Sequence, residues 1–104
     1  MIRGGRVTFH VSDLARAVRF YVETLGMKLV EQTPGAALFD AGEGFRLALV
    51  EGKGPAPGSV TLHAKVPLAE AIAIFENRGV AFETEATSGA RFHDPDGNVL
   101  YLSA

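Results

Sequence analysis

The sequence contains no cysteine. Disulfides, a thiolate nucleophile and a zinc–sulfur centre are therefore excluded. It contains no run of lysine or arginine, and its formal net charge is −2. Binding to a polyanion needs clustered positive charge, so neither nucleic acid nor an anionic membrane is expected as a partner. No apolar run reaches the roughly 20 residues that a membrane-spanning helix needs. The opening MIRGGR lacks the apolar core of a secretory signal. A cytoplasmic protein is the expectation.

What is present is the composition of an ordinary folded protein, 47% apolar and 21% charged. A length of 104 residues suits one domain, or two small units that share a core.

RVTFHVS alternates, with Val7, Phe9 and Val11 on one face and Arg6, Thr8 and His10 on the other. Period two predicts a half-buried strand. SDLARAVRFYVETLG places Leu14, Ala17, Val18, Tyr21 and Leu25 at helical spacing, with Ser12 or Asp13 as N-cap and Gly26 as the stop. MKLVEQT, AALFDA and FRLALVE read as three strands between Gly-rich turns, and EGKGPAPGS as a linker. The pattern then restarts. SVTLHAKV reads as a strand and PLAEAIAIFENRG as a helix from Pro67 or Leu68 to Gly79. VAFETEA, GARFHD and NVLYLSA read as three further strands. Asp94–Gly97 is a turn: proline presets φ, aspartate supports the turn, and glycine permits positive φ.

VTFH at Val7–His10 recurs as VTLH at Val60–His63, an offset of 53. Gly26 and Gly79 share that offset, as do Gly44 and Gly97, and DLARAVRFY matches PLAEAIAIF after a one-residue shift. The chain therefore reads as two copies of a β-α-β-β-β unit. The first spans residues 1–51, the linker 52–59 and the second 60–104, in a single α+β domain of mixed sheets. Each helix covers one sheet face and leaves the other open. Two open faces curled together make a cup, and a cup is a ligand site before any chemistry is specified.

VTFHVSDLARAVRFYVETLGMKL resembles the opening module of the vicinal oxygen chelate superfamily, and FHDPDGNVLYL resembles its closing hairpin. Glyoxalase I, extradiol dioxygenases, fosfomycin-resistance enzymes and bleomycin-resistance proteins belong to that superfamily. The resemblance covers essentially the whole chain. It implies the glyoxalase/bleomycin-resistance/dioxygenase fold, but one fold hosts several chemistries. It also implies a divalent metal held by His and Glu, one ligand per inner strand, a donor set that suits a Lewis-acid ion. Carried over singly, the ligand positions fall on Arg6, Ala48, Thr61 (Ser59 in a shifted register) and Tyr101. None is an ordinary ligand for a hard divalent ion, and the fixed charge of Arg6 would repel one. No cofactor and no divalent metal are expected. By resemblance the nearer model is the bleomycin-resistance branch, which sequesters a ligand without a metal.

Each candidate has two readings. His10 and His63, a repeat-related pair on the open faces, serve either ligand binding and proton transfer or plain solvation of a strand. A two-residue register slip would carry His63 into the ligand position. Arg6 and Arg46 pair either with an anion or buried carboxylate, or reach solvent. Thr8 and Thr61 share the open faces with them. Tyr101 offers stacking and a hydroxyl, but we read it first as filler for the space a metal would occupy, since an unperturbed phenol is a poor acid–base group. His93 reads as a turn-associated surface residue, Asp13 as a cap, and Phe20 and Tyr21 as core or interface.

The leading expectation is a metal-independent protein that holds a partly apolar small molecule in the cup, facing Arg6, His10 or His63, in a sequestration or resistance role. One alternative is a glyoxalase/dioxygenase-family lyase or oxidoreductase using His10 or His63, or an atypical metal site. Another is a non-catalytic dimerisation module. The resemblance implies a homodimer, and the linker length allows the cup to close within one chain or across two.

Overall fold

The structure is a computed structural model and describes residues 6–54, 58–83 and 89–103. The first module runs β1 (Arg6–Val11), α1 (Leu14–Arg19), a π-helical turn (Phe20–Thr24), β2 (Lys28–Thr33), β3 (Ala36–Gly42) and β4 (Phe45–Glu51). The second runs β5 (Ser59–His63), α2 (Leu68–Asn77), β6 (Ala90–His93) and β7 (Val99–Ser103). No helix among the described residues is long and apolar enough to cross a membrane.

The strands form two mixed sheets, ordered β1-β4-β3-β2 and β5-β7-β6. β1 lies parallel to β4, and β5 parallel to β7, which requires a crossover helix in each module. The other pairings are antiparallel. This is the α+β architecture that the repeat predicts. One expected strand differs. Of VAFETEA, Glu83 alone pairs among the described residues, as an isolated bridge to Arg91, and residues 84–86 lie outside them. The Val80 N–H is committed to the Phe75 carbonyl at 3.0 Å, so the segment begins as the exit from α2 rather than as a strand.

Asp13 is the N-cap of α1, its Oδ1 accepting the Arg16 N–H at 3.1 Å. Glu51, at the end of β4, accepts the Leu14 N–H at 2.9 Å. Two orphan donors of the first turn are thus satisfied. The expected single helix widens at its end: the Leu25 N–H reaches the Phe20 carbonyl, an i→i+5 bond. Gly26 (φ 76°) and Gly79 (φ 92°) then end the helical segments in the left-handed region.

The helix-facing residues Phe9, Val11, Leu47, Leu49 and Phe39 join Val60, Phe92 and Leu100 in one buried cluster. The two modules therefore share a core. Each fully buried Leu or Phe contributes roughly 1.5–3 kcal/mol.

The modules are also joined by polar contacts at the Asp94–Asn98 turn. Asp94 is buried, and its Oδ1 accepts the N–H groups of Asp96 and Asn98. Its Oδ2 accepts the Asn98 side-chain amide and the Tyr21 hydroxyl, each at 2.9 Å. Asn98 also donates to the His10 carbonyl and accepts the Gly58 N–H. The turn that reads as local geometry in the sequence is a clamp between modules.

Candidate functional site

Alternate residues of a strand share a face, and register partners on neighbouring strands share it too. The open face of the first sheet can be laid out row by row from its pairings. The outer row is Arg6, Arg46, Asp40 and Lys28. The middle row is Thr8, Ala48, Leu38 and Glu31. The last row is His10, Val50, Ala36 and Thr33. A hollow of about 260 Å³ lies on this face, lined chiefly by Arg6, Thr8, Glu31, Leu38, Ala48 and Val50. Its floor is apolar and its rim polar, the pattern of a small-molecule site.

Of the residues singled out from the sequence, Arg6, Thr8 and Ala48 line this hollow together. Arg46 stands beside Arg6, its register partner, but outside the lining. His10 is also outside it. Gly54 lies so close to its ring that a Cβ there would fall 2.1 Å from His10 Nδ1. The imidazole therefore packs on backbone that only glycine allows.

The second sheet holds the others. Thr61 pairs with Tyr101 and His63 with Ser103, while Ser59 pairs with Val99. Thr61 is therefore the residue opposite Tyr101. The repeat-related pair in the first sheet is Thr8 and Ala48, with Arg6 one row further out opposite Arg46. Thr61, His63 and Tyr101 do not line the hollow. They share their face with Arg91 and His93. Glu83 bridges these two: its Oε2 lies 2.9 Å from Arg91 and its Oε1 2.8 Å from His93 Nδ1. His93 is exposed, as expected of it, but its ring is held by a carboxylate.

The sequence reading passed over Glu83 and Arg91 on the second sheet, and Glu31, Leu38 and Val50 in the hollow. The signal for most of them was present. In GARFHD, Ala90 and Phe92 alternate with Arg91 and His93, and only the latter pair can face outward.

The metal positions implied by resemblance offer a poor donor set. Ala48 has no donor atom, Thr61 and Tyr101 have neutral hydroxyls, and Arg6 is a cation. These residues do not fit a hard divalent ion. Among the described residues no group of three or more His, Asp or Glu converges elsewhere.

Among the described residues two groups carry a shifted acidity, both at the module junction. Burial, reinforced by the Asp94 carboxylate, pushes the Tyr21 phenol well above its ordinary range. Burial also works against the charge on Asp96. Hydrogen bonds from the Ser12 hydroxyl and N–H, with Arg16 nearby, outweigh it and hold Asp96 below the usual carboxylate range.

The model of the Glyoxalase/Bleomycin resistance protein/Dioxygenase superfamily matches residues 4–102. No curated protein sequence matches the chain. Among solved structures, TnmS3, an antibiotic binding protein from Streptomyces sp. CB03234, is 29% identical with a TM-score of 0.83, covering 99% of this chain and 95% of its own. A glyoxalase/bleomycin resistance protein from the same organism is 30% identical with a TM-score of 0.80, covering 97% of this chain and 99% of its own. Lactoylglutathione lyase from Agrobacterium tumefaciens shares the fold at 20% identity, with a TM-score of 0.80 and coverage of 94% and 90%.

Proposed function

The chain belongs to the Glyoxalase/Bleomycin resistance protein/Dioxygenase superfamily, and from that membership we propose that it is a small-molecule-binding protein that works without a metal. The observation that carries this reading is the apolar-floored hollow on the open face of the first sheet. The donor set at the family's metal positions supports it, because a metal enzyme would need ligands these residues do not supply. The likeness to TnmS3 over nearly the whole chain points the same way.

The chemistry is retention rather than turnover. Leu38, Ala48 and Val50 give an apolar body a place out of water, at roughly 25 cal/mol per Å² of apolar surface removed. Thr8 supplies a hydroxyl, and Arg6 a fixed charge at the rim. Stoichiometric binding of a toxic compound or metabolite would lower its free concentration, which is sequestration. The alternative of His-based catalysis has less support, since the His10 ring is outside the hollow and His63 is on the other sheet.

We further propose a cytoplasmic homodimer. The hollow is open to solvent, and the unused open face of a second copy would cover it. Thr61, His63 and Tyr101 would then reach the ligand from the partner.

Titration with N-phenyl-1-naphthylamine, an uncharged probe that fluoresces in apolar sites, tests the binding reading. One saturable site per chain is expected. Elemental mass spectrometry of the purified protein tests the metal: a stoichiometric, tightly held divalent ion would overturn the metal-free reading. Sedimentation equilibrium tests the dimer.

A further inference from the structure

The outer row of the open face is Arg6, Arg46, Asp40 and Lys28, three cations and one anion. Arg6 and Arg46 are direct register partners on neighbouring parallel strands. Like charges placed opposite each other across a pair of strands are destabilising. Such a pair is normally relieved by a carboxylate. Here no ion pair joins either guanidinium to a carboxylate among the described residues. Asp40, the register partner of Arg46 on β3, is one counter-charge in a row of three cations, and its Oδ1 also accepts the Gly42 N–H at 2.8 Å, so the row stays net positive.

This arrangement stands in a protein whose net charge is −2. A chain of that charge repels anions on average, so a local positive row is what would draw one in. The row borders the apolar floor of the hollow, and Arg6 belongs to both. Glu31 lines the far side of the hollow, on β2, and would repel an anion placed there. The two arginines stand together on the β1–β4 side of this face, whereas on β2 the charges of Lys28 and Glu31 offset each other.

We propose that the ligand is an amphiphile with one anionic group (carboxylate, sulfonate or phosphate) held between Arg6 and Arg46, its apolar body lying on Leu38, Ala48 and Val50. The planar, multiply donating guanidinium suits such oxygens. The anion also relieves the repulsion between the two arginines, so binding is coupled to stability. This inference rests on the binding reading above.

The test uses a matched pair of probes: N-phenyl-1-naphthylamine and its sulfonated relative 8-anilinonaphthalene-1-sulfonate. Each is titrated into the full chain, the Arg6→Gln/Arg46→Gln variant and the charge-retaining Arg6→Lys/Arg46→Lys variant. Circular dichroism verifies that each is folded. The glutamine variant should bind the sulfonate about tenfold more weakly, a change of about 1.4 kcal/mol. Its affinity for the uncharged probe should fall by clearly less than its affinity for the sulfonate. The lysine variant should keep part of the sulfonate affinity. Rising salt should weaken sulfonate binding in the wild type and leave it nearly flat in the glutamine variant. Amide shifts on adding the sulfonate should centre on Thr8, Leu38 and Ala48. Equal losses for both probes, unchanged sulfonate affinity in the glutamine variant, or shifts confined to other surfaces would overturn the inference while leaving the binding reading intact. Failure of both probes to bind saturably would overturn both.

Discussion

The Tyr21 hydroxyl donates to Asp94 Oδ2 at 2.9 Å, joining the end of the first helix to the closing turn of the second module. Both residues are buried, and the bond crosses 73 positions of sequence. It is one of four donors that satisfy a carboxylate with almost no water. An ionised group taken out of water needs those donors.

Tyr21→Phe keeps the ring and removes that one donor. Hydrogen bonds to charged groups contribute about 1.5–3 kcal/mol, so unfolding in urea should show a loss in that range. In a domain of this size the melting temperature should fall by roughly 10 °C. The ring contact with Phe39, at 5.6 Å between centroids, should persist. A loss below about 0.5 kcal/mol would mean that Asp94 does not depend on this donor.

The same phenol predicts an alkaline effect. Burial and the Asp94 carboxylate raise its pKa in the folded state above the ordinary phenol value of 10.0. A group raised on folding contributes fully below its unfolded value, and that contribution is lost as pH climbs above it. The chain has two tyrosines, so Tyr101→Phe leaves Tyr21 as the single chromophore of its kind. Phenolate absorbance near 295 nm should then appear only together with loss of the folded circular dichroism signal. Ionisation in the native state near pH 10 would refute the buried bond.

These contacts mark the limit of what the sequence carried. The offset between VTFH and VTLH placed β1 and β5 correctly, and alternation put Arg6, Thr8 and His10 on one face, because both are local patterns in the chain. Which side chains lie across from one another depends on register between strands, and this brought Arg46 beside Arg6 and Thr61 beside Tyr101. Contacts between modules were hidden altogether. Tyr21 was legible as core, but nothing near position 21 names Asp94 as its partner. The ring of His10 was assigned to the open face by parity. It is outside the hollow and lies against Gly54, a contact that the periodicity of a Gly/Pro-rich segment does not encode.

Acid should unfold the chain partly through Asp96. Burial works to raise its pKa, but the Ser12 hydrogen bonds and Arg16 outweigh it and hold the folded pKa below the ordinary carboxylate value of 3.8. A depressed carboxylate contributes stability above its unfolded value, and that contribution is lost as pH falls through the folded value. The urea midpoint should therefore drop as the pH falls below about 4. Ser12→Ala removes the hydroxyl that donates to Asp96. The variant should be less stable at pH 7, and the gap from wild type should narrow as Asp96 protonates. A gap that stays constant to pH 2 would separate the Ser12 effect from Asp96.

One substitution at two alanines separates the ligand face from the core. Ala48 is buried in the middle row of the open face, between Thr8 and Leu38, while Ala37, which also borders the hollow, belongs to the buried core cluster on the opposite face of β3, paired with Leu49. Ala37→Leu adds bulk to a packed core and should cost about 1–3 kcal/mol in urea unfolding. Ala48→Leu grows toward the hollow that it lines and lies outside the buried core cluster. Its stability should change by less than about 1 kcal/mol, within the range of substitutions outside the core. Its affinity for N-phenyl-1-naphthylamine should nevertheless fall by about tenfold, since the apolar floor that receives the probe is filled. If Ala48→Leu binds the probe as the wild type does, the site is not on this face. If it unfolds as readily as Ala37→Leu, the hollow is not the open space that ligand binding requires.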